Sequence, residues 1–225
     1  RRTDTDRVME PNSENHLSVI GVSLIRPILT LVETLESDKP VVPKEVKTGD
    51  RENGYSCAIA ALAVFLLESA LNRTRYVRGE DGERISPTEY FAKISPDPAL
   101  AADVEEVFAV RDTIVHTHLW KARTFWDANG SLKFKEPPQR LKEYGDRRLR
   151  RVMNPTNQLS HRLGLNLFPE RIWRRDAFII LKTVGRTLDT LESMKREYFY
   201  ISPMHFVFRG SDLTFHEILD GLAIP

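Results

Sequence analysis

The sequence predicts an all-α protein, a multi-helix bundle with one or two small β-hairpin appendages. Apolar residues recur at helical spacing over several long segments, and one of these segments is apolar almost all the way round. Short turn signals between aromatic residues occur at two places and indicate the hairpins. With 225 residues, 41% hydrophobic and 29% charged, the chain is long enough to bury a sizeable core.

The chain is predicted to begin with a flexible, polar arm over residues 1–14. A helical domain over residues 15–198 follows. Residues 17–35 predict a helix that Pro27 kinks or divides, because proline removes a backbone donor. Residues 55–73 predict the central helix of the bundle. Ser86-Pro87-Thr88-Glu89 has the form of a capping box and predicts that a short helix begins there.

The longest predicted helix covers residues 97–123. Asn129-Gly130 lies between apolar flanks and predicts a hairpin inserted at about residues 124–135. A basic helix is expected over 139–152, and a long helix with an apolar stripe over 169–198. Residues 199–225 form a C-terminal aromatic segment, in which Gly210-Ser211-Asp212 indicates a second hairpin.

Composition excludes several classes of protein. A lone cysteine, Cys57, cannot form an intramolecular disulfide framework or a Cys-rich zinc module, which points to a reducing compartment. The longest apolar stretches, residues 17–32 and 57–67, are too short or too interrupted to predict a membrane span. We therefore expect a cytoplasmic protein without a membrane partner. The histidines have no zinc-site spacing and no phosphate-binding glycine loop occurs, so we expect no metal and no cofactor.

Charge is unevenly distributed along the chain. The net charge is only +1, yet residues 121–175 hold 14 Lys/Arg against five Asp/Glu. This segment either faces a polyanion such as RNA, or it is a solvated face whose positive charge is balanced by acidic segments elsewhere in the chain. The arginines that would contact RNA phosphates are Arg147, Arg148, Arg150 and Arg151.

A polar cluster is predicted where two apolar helices meet. Arg111 lies within the apolar stripe of the 97–123 helix, and an arginine buried there needs a carboxylate or phosphate partner. Glu68 is the available carboxylate, and Asn72 lies one turn beyond it. Asp112 and His116 lie four residues apart on the flank of the stripe, so they can touch.

The residues of this cluster resemble the signature of the HEPN superfamily. In that signature an arginine is followed by a polar residue, three further residues and a histidine, on a long helix that comes after an apolar helix. Arg111, Asp112 and His116 carry this resemblance, and Glu68 and Asn72 match polar positions on the preceding helix. The resemblance covers roughly residues 50–125. His118 also satisfies the spacing permitted after Arg111 and shares its helical face. We favour His116 as the catalytic histidine, because Asp112 lies four residues before it and would orient its imidazole or keep it protonated, and His118 is then a supporting residue.

The resemblance implies a homodimeric ribonuclease of the toxin or antiviral defence type, in which two signature helices form one composite site. Histidine side chains titrate near neutrality and can move the proton of an RNA 2′-hydroxyl, and arginine can hold the phosphate. No metal is required. An antitoxin or defence-system protein is an implied partner besides RNA. The alternative is a non-catalytic RNA- or nucleotide-binding or dimerisation module, in which Arg111 and Glu68 form a structural ion pair.

Overall fold

A computed structural model of the chain describes residues 20–80, 82, 84–116, 120–140, 147–195, 198 and 201–225. The predicted arm lies outside these residues. The described part is mainly helical and carries two small antiparallel strand pairs, which confirms the predicted mixture of helices and hairpins. The elements in chain order are α1 (Ile20–Ser23), α2 (Ile25–Glu36), α3 (Asp50–Val77), α4 (Pro87–Ile94), α5 (Pro98–Val115), β1 (Trp120–Trp126), β2 (Leu132–Arg140), α6 (Arg147–Val152), α7 (Arg174–Met194), β3 (His205–Phe208), β4 (Ser211–Thr214) and α8 (Phe215–Asp220).

The first helical stretch is divided in two, as Pro27 predicts. The break falls at Leu24, between α1 and α2. Pro27 has no N–H to donate to the carbonyl four residues earlier, at Ser23, so the helical ladder is interrupted there. Beyond the break, α2 buries Ile28, Val32 and further residues of one stripe against α3.

The central helix, α3, has 28 residues and spans about 42 Å at 1.5 Å per residue. It begins at Asp50, earlier than predicted, with Asp50 and Glu52 in a first turn where negative charge is favourable. Buried alanines such as Ala60 and Ala63 allow α2, α5 and α7 to pack closely around it. By length and hydropathy α3 could also cross a membrane, although half of its most apolar window is buried inside the fold.

Helices α4 and α5 begin at clear caps. The capping box at Ser86 is confirmed: the Ser86 hydroxyl accepts from the Glu89 backbone N–H, and the Glu89 carboxylate accepts from the Ser86 N–H. The Asp97 side chain caps α5. The prediction that α5 runs to residue 123 is wrong, because the helix ends at Val115 and residues 120–126 form a strand. Aromatic and β-branched residues such as Trp120 and Thr124 favour pairing in a sheet over a helix.

The first hairpin, β1–β2, covers residues 120–140 and is longer than predicted. Its tip is held by Asp127, whose carboxylate accepts from the backbone N–H groups of Asn129 and Ser131 at 2.9 and 2.8 Å, and Gly130 adopts a positive φ of 71°. Edge-to-face contacts of Trp120 and Phe134 with Phe168 join the hairpin to the body of the protein.

The two helices predicted after the hairpin are shorter than expected. Residues 139 and 140 belong to β2, and α6 begins only at Arg147; residues 141–146 lie outside the described part. Residues 169–171 form a single 3-10 turn, and α7 begins at Arg174. The amide of Asn53 donates to the carbonyl oxygens of Pro169 and Ile172 at 2.8 and 2.9 Å, which satisfies them without a helix.

The C-terminal segment contains the predicted second hairpin. Strands β3 and β4 are joined by Arg209 and Gly210, both with positive φ, as the tightest hairpin turns require. Phe208, Phe215 and Ile218 are buried in the same apolar core as α3 and α7. This segment therefore packs as part of the core.

Candidate active site

The end of α5 positions the residues of the predicted signature. Arg111 and Asp112 lie in its last two turns. His116 is the first residue after the helix, with non-helical backbone angles, and its backbone N–H donates to the Asp112 carbonyl oxygen at 2.9 Å. The His116 side chain is exposed. The signature histidine is therefore presented to solvent at a helix terminus that the fold anchors.

Arg111 has several electrostatic neighbours. Its Nη2 lies 3.5 Å from Glu68 Oε2 on α3, so the expected pair is present, and its Nε lies 3.3 Å from Asp112 Oδ1. The guanidinium carbon lies 5.4 Å from the centre of the Phe108 ring. None of the described residues accepts a hydrogen bond from Nε, although that atom is buried. The guanidinium is held by charge and by the aromatic ring, with its directional donors unused.

Asp112 is buried and links α5 to α6. Its Oδ2 accepts from Nη1 of Arg148 at 2.5 Å, while its Oδ1 is the oxygen near Arg111. Arg148 also donates to the hydroxyl of Thr88, at the start of α4, at 3.3 Å, and its guanidinium lies 5.6 Å from the centre of the Phe108 ring. One carboxylate thus faces two arginines from different elements, and α4, α5 and α6 are tied together behind Arg111.

The remaining predicted residues are placed differently from one another. Asn72 is exposed on α3, one turn beyond Glu68, and its side chain forms no hydrogen bond with another described residue. His118 lies outside the described residues. The helix on which the projection of His118 onto the face of Arg111 was based ends at Val115.

The predicted RNA-contacting arginines of α6 divide into two groups. Arg147 and Arg150 are exposed. Arg148 is half-buried against Asp112, and Arg151 forms an ion pair with Glu105 of α5. The link between Arg148 and Asp112 was not expected from the sequence. Its only sequence signal is an arginine beside Leu149, which predicts partial burial but not a partner.

Two exposed apolar side chains lie close in sequence to the ion pair. Phe65 lies one turn before Glu68 on α3 and is 42% exposed, and Val115 lies one turn after Arg111 on α5 and is 50% exposed. Among the residues that the structure describes, no group of three or more His, Cys, Asp or Glu could hold a metal ion.

Comparison of the chain with protein-family models, with curated protein sequences and with solved structures gave no significant match.

Proposed function

We propose that this chain is a metal-independent endoribonuclease of the HEPN type, acting as a toxin or antiviral defence effector. The observation that carries the proposal is the state of Arg111. Its side chain is only 19% exposed, and none of its guanidinium N–H groups donates a hydrogen bond to a described residue. A half-buried cation with unused donors is suited to bind a phosphate that brings matching acceptors.

His116 is the proton-transfer group of the proposal. Its imidazole takes the proton from an RNA 2′-hydroxyl, and the resulting oxygen attacks the adjacent phosphorus. The bond to the 5′-oxygen then breaks, and that oxygen receives a proton from an imidazolium. The products are a 2′,3′-cyclic phosphate and a 5′-hydroxyl. An exposed histidine at the end of a helix is accessible to so large a substrate.

Arg111 would stabilise the charge that develops on the phosphate. A planar guanidinium can donate two parallel hydrogen bonds to phosphate oxygens. When RNA binds, these oxygens compete with Glu68 and Asp112, which lie at 3.5 and 3.3 Å and accept no hydrogen bond from Arg111. Asp112 and Glu68 act in the proposal as positioning residues, because they hold Arg111 without consuming its donors.

A homodimer would complete the site. Phe65 and Val115 expose apolar surface one helical turn from Glu68 and from Arg111, respectively. A second copy packed there would bury this surface and bring two His116 side chains to one site. One histidine then removes the 2′-hydroxyl proton while the other protonates the leaving oxygen. Arg147 and Arg150 are the exposed α6 arginines that would contact the RNA backbone.

The test is RNA cleavage by the purified chain in excess EDTA, with single substitutions. Wild type should cleave, and Arg111→Ala and His116→Ala should each lose at least about a hundredfold in rate. Arg186→Ala, which removes an exposed arginine of α7, is the matched control and should retain wild-type activity. His118→Ala in the same assay decides which histidine is catalytic.

One observation favours a second candidate, a non-catalytic RNA- or nucleotide-binding or dimerisation module. Arg111 already has two carboxylates within 3.5 Å, which is the arrangement of a structural ion-pair cluster. The same assay separates the two candidates. If the wild-type protein binds RNA and leaves it intact, the enzyme proposal fails and the binding module is supported.

A further inference from the structure

A pocket with mixed polar and apolar lining lies on the hairpin side of the molecule. Its volume is about 510 Å³, in the range typical of small-ligand sites. Strand β2 forms one wall and the turn around residues 156–158 forms the other. The side chains that matter for its chemistry are Glu45, Phe134, Lys135, Glu136, Asn157 and Arg171.

The carboxylates of this pocket are already paired. Glu45 accepts from Lys133 Nζ at 2.8 Å and from the Phe134 backbone N–H at 3.2 Å, and these bonds hold the pKa of Glu45 below its ordinary value. Glu136 lies 3.6 Å from Nε of Arg123. Neither Lys133 nor Arg123 lines the pocket. The carboxylates of Glu45 and Glu136 are therefore paired with cations that lie outside the pocket.

The cations of the pocket are not paired. Neither Lys135 nor Arg171 forms an ion pair or side-chain hydrogen bond with a described residue. The Nε of Arg171 is buried without an acceptor among the described residues, whereas Lys135 is exposed. Burying a charged donor without a partner costs free energy, so the Arg171 guanidinium is suited to receive its counter-charge from a ligand. The unbalanced charge of the pocket is positive.

The opposite wall is held in a strained conformation. Gln158 has a φ of 61°, in the left-handed region that non-glycine residues seldom adopt. Its side-chain amide donates to the Pro138 carbonyl oxygen at 2.8 Å, which ties the turn to β2 across the pocket. Strain of this kind clusters at ligand-binding positions and persists only where neighbouring contacts enforce it.

We propose that this pocket binds a nucleoside monophosphate. The guanidinium of Arg171 would hold the phosphate, with Lys135 as the second cation. Phe134 and Pro137 supply apolar surface for the base, and the Asn157 amide supplies polar atoms for its edge. The pocket shares no residue with the site around Arg111, so this proposal does not depend on the proposed ribonuclease activity.

Calorimetric titration of the full chain tests the proposal. The probes are the four nucleoside 5′-monophosphates and the four nucleosides without phosphate, each titrated up to millimolar concentration. The variants are Arg171→Gln and Lys135→Gln, with Arg186→Gln as the control on α7. Arg111→Ala reports whether nucleotide binds at the candidate active site instead. Thermal unfolding of each variant separates loss of binding from loss of folding.

We expect at least one monophosphate to bind saturably and its nucleoside to bind at least about tenfold more weakly. Arg171→Gln should weaken binding roughly tenfold to a hundredfold without lowering the melting temperature, because its guanidinium has no partner to lose. Arg186→Gln should bind as wild type does, and Arg111→Ala should retain the saturable binding that Arg171→Gln weakens.

Three results would overturn the pocket proposal: no binding of any monophosphate, equal binding of nucleoside and nucleotide, or unchanged affinity in Arg171→Gln. If binding is lost in Arg111→Ala and kept in Arg171→Gln, the nucleotide occupies the candidate active site. That outcome rejects the pocket and leaves the proposed ribonuclease activity standing.

Discussion

Replacing Asp112 with asparagine tests how the candidate site is held together. The substitution keeps the size of the side chain and removes the charge that faces Arg111 at 3.3 Å and Arg148 at 2.5 Å. The Asp112 and Arg148 side chains are only 8% and 14% exposed, so water cannot replace the lost carboxylate. Breaking a buried pair costs about 3 to 5 kcal/mol, and the residual exposure places this one near about 3 kcal/mol.

A matched control exists between the same two helices. Glu105 of α5 pairs with Arg151 of α6, but these side chains are 28% and 63% exposed. Exposed pairs contribute roughly 0.2 to 1 kcal/mol, so Glu105→Gln should cost no more than that. The two substitutions remove one carboxylate each from the same interface, and the carboxylates differ in burial and in the number of arginines that they face.

Urea unfolding monitored by circular dichroism gives the free energy of unfolding of each variant. For a chain of this size, about 3 kcal/mol corresponds to a fall in melting temperature of roughly 6 to 12 °C. A double-mutant cycle with Arg148→Met should give a coupling energy of about 0.5 to 3 kcal/mol. If Asp112→Asn costs no more than Glu105→Gln, the buried carboxylate does not hold the site together.

Three further predictions concern groups outside the site. Arg174 is buried and donates to Glu52 through Nε and Nη2 at 2.9 and 2.6 Å. Arg174→Met should therefore lower the free energy of unfolding in urea by about 3 to 5 kcal/mol. An equal loss in Arg175→Met, at the half-buried neighbouring arginine, would contradict this. Burial raises the pKa of the Cys57 thiol to about 12. Near neutral pH, Ellman's reagent should therefore modify Cys57 far more slowly in the folded protein than in the urea-unfolded protein. Equal rates would show an accessible thiolate in the folded protein. Ser86→Ala should cost about 1 kcal/mol near neutral pH. The Ser86 backbone N–H and hydroxyl lower the pKa of Glu89, so this stabilisation is present above about pH 4.3 and falls as Glu89 is protonated; a cost of Ser86→Ala that is the same at low pH would contradict that link.

Features with local causes could be predicted from the sequence. Pro27 divides the first helix because the missing donor acts within four residues, and the Ser86 cap closes within three. The Asn129-Gly130 turn is likewise decided by its own backbone. Each of these signals is complete inside one turn of the chain, so no tertiary contact is needed to read it.

Features decided by distant partners could not be predicted in the same way. No glycine or proline follows Val115 to mark the end of α5, and the strand that begins at Trp120 is paired with β2, which lies further along the chain. The buried pair between Glu52 and Arg174 joins residues 122 positions apart. Nothing in either segment alone shows that the other lies beside it.

The candidate site shows both situations. A carboxylate partner for Arg111 could be predicted, because an arginine in an apolar stripe requires one and Glu68 lies on the helix expected to pack there. The role of Arg148 could not, because its contact with Asp112 depends on where α6 returns to the bundle. The sequence suggested RNA contact for Arg148, whereas the structure places it against a carboxylate.

The central claim is that Arg111 and His116 cut RNA through its own 2′-hydroxyl. A short randomised RNA and the same library with every 2′-hydroxyl methylated should be incubated with the wild-type chain in excess EDTA, and the ends of the products identified by mass spectrometry. Only the unmethylated RNA should be cut, the products should carry 2′,3′-cyclic phosphate and 5′-hydroxyl ends, and His116→Ala should produce neither end. Cleavage of the methylated library, or an intact RNA library after incubation with wild type, would contradict it.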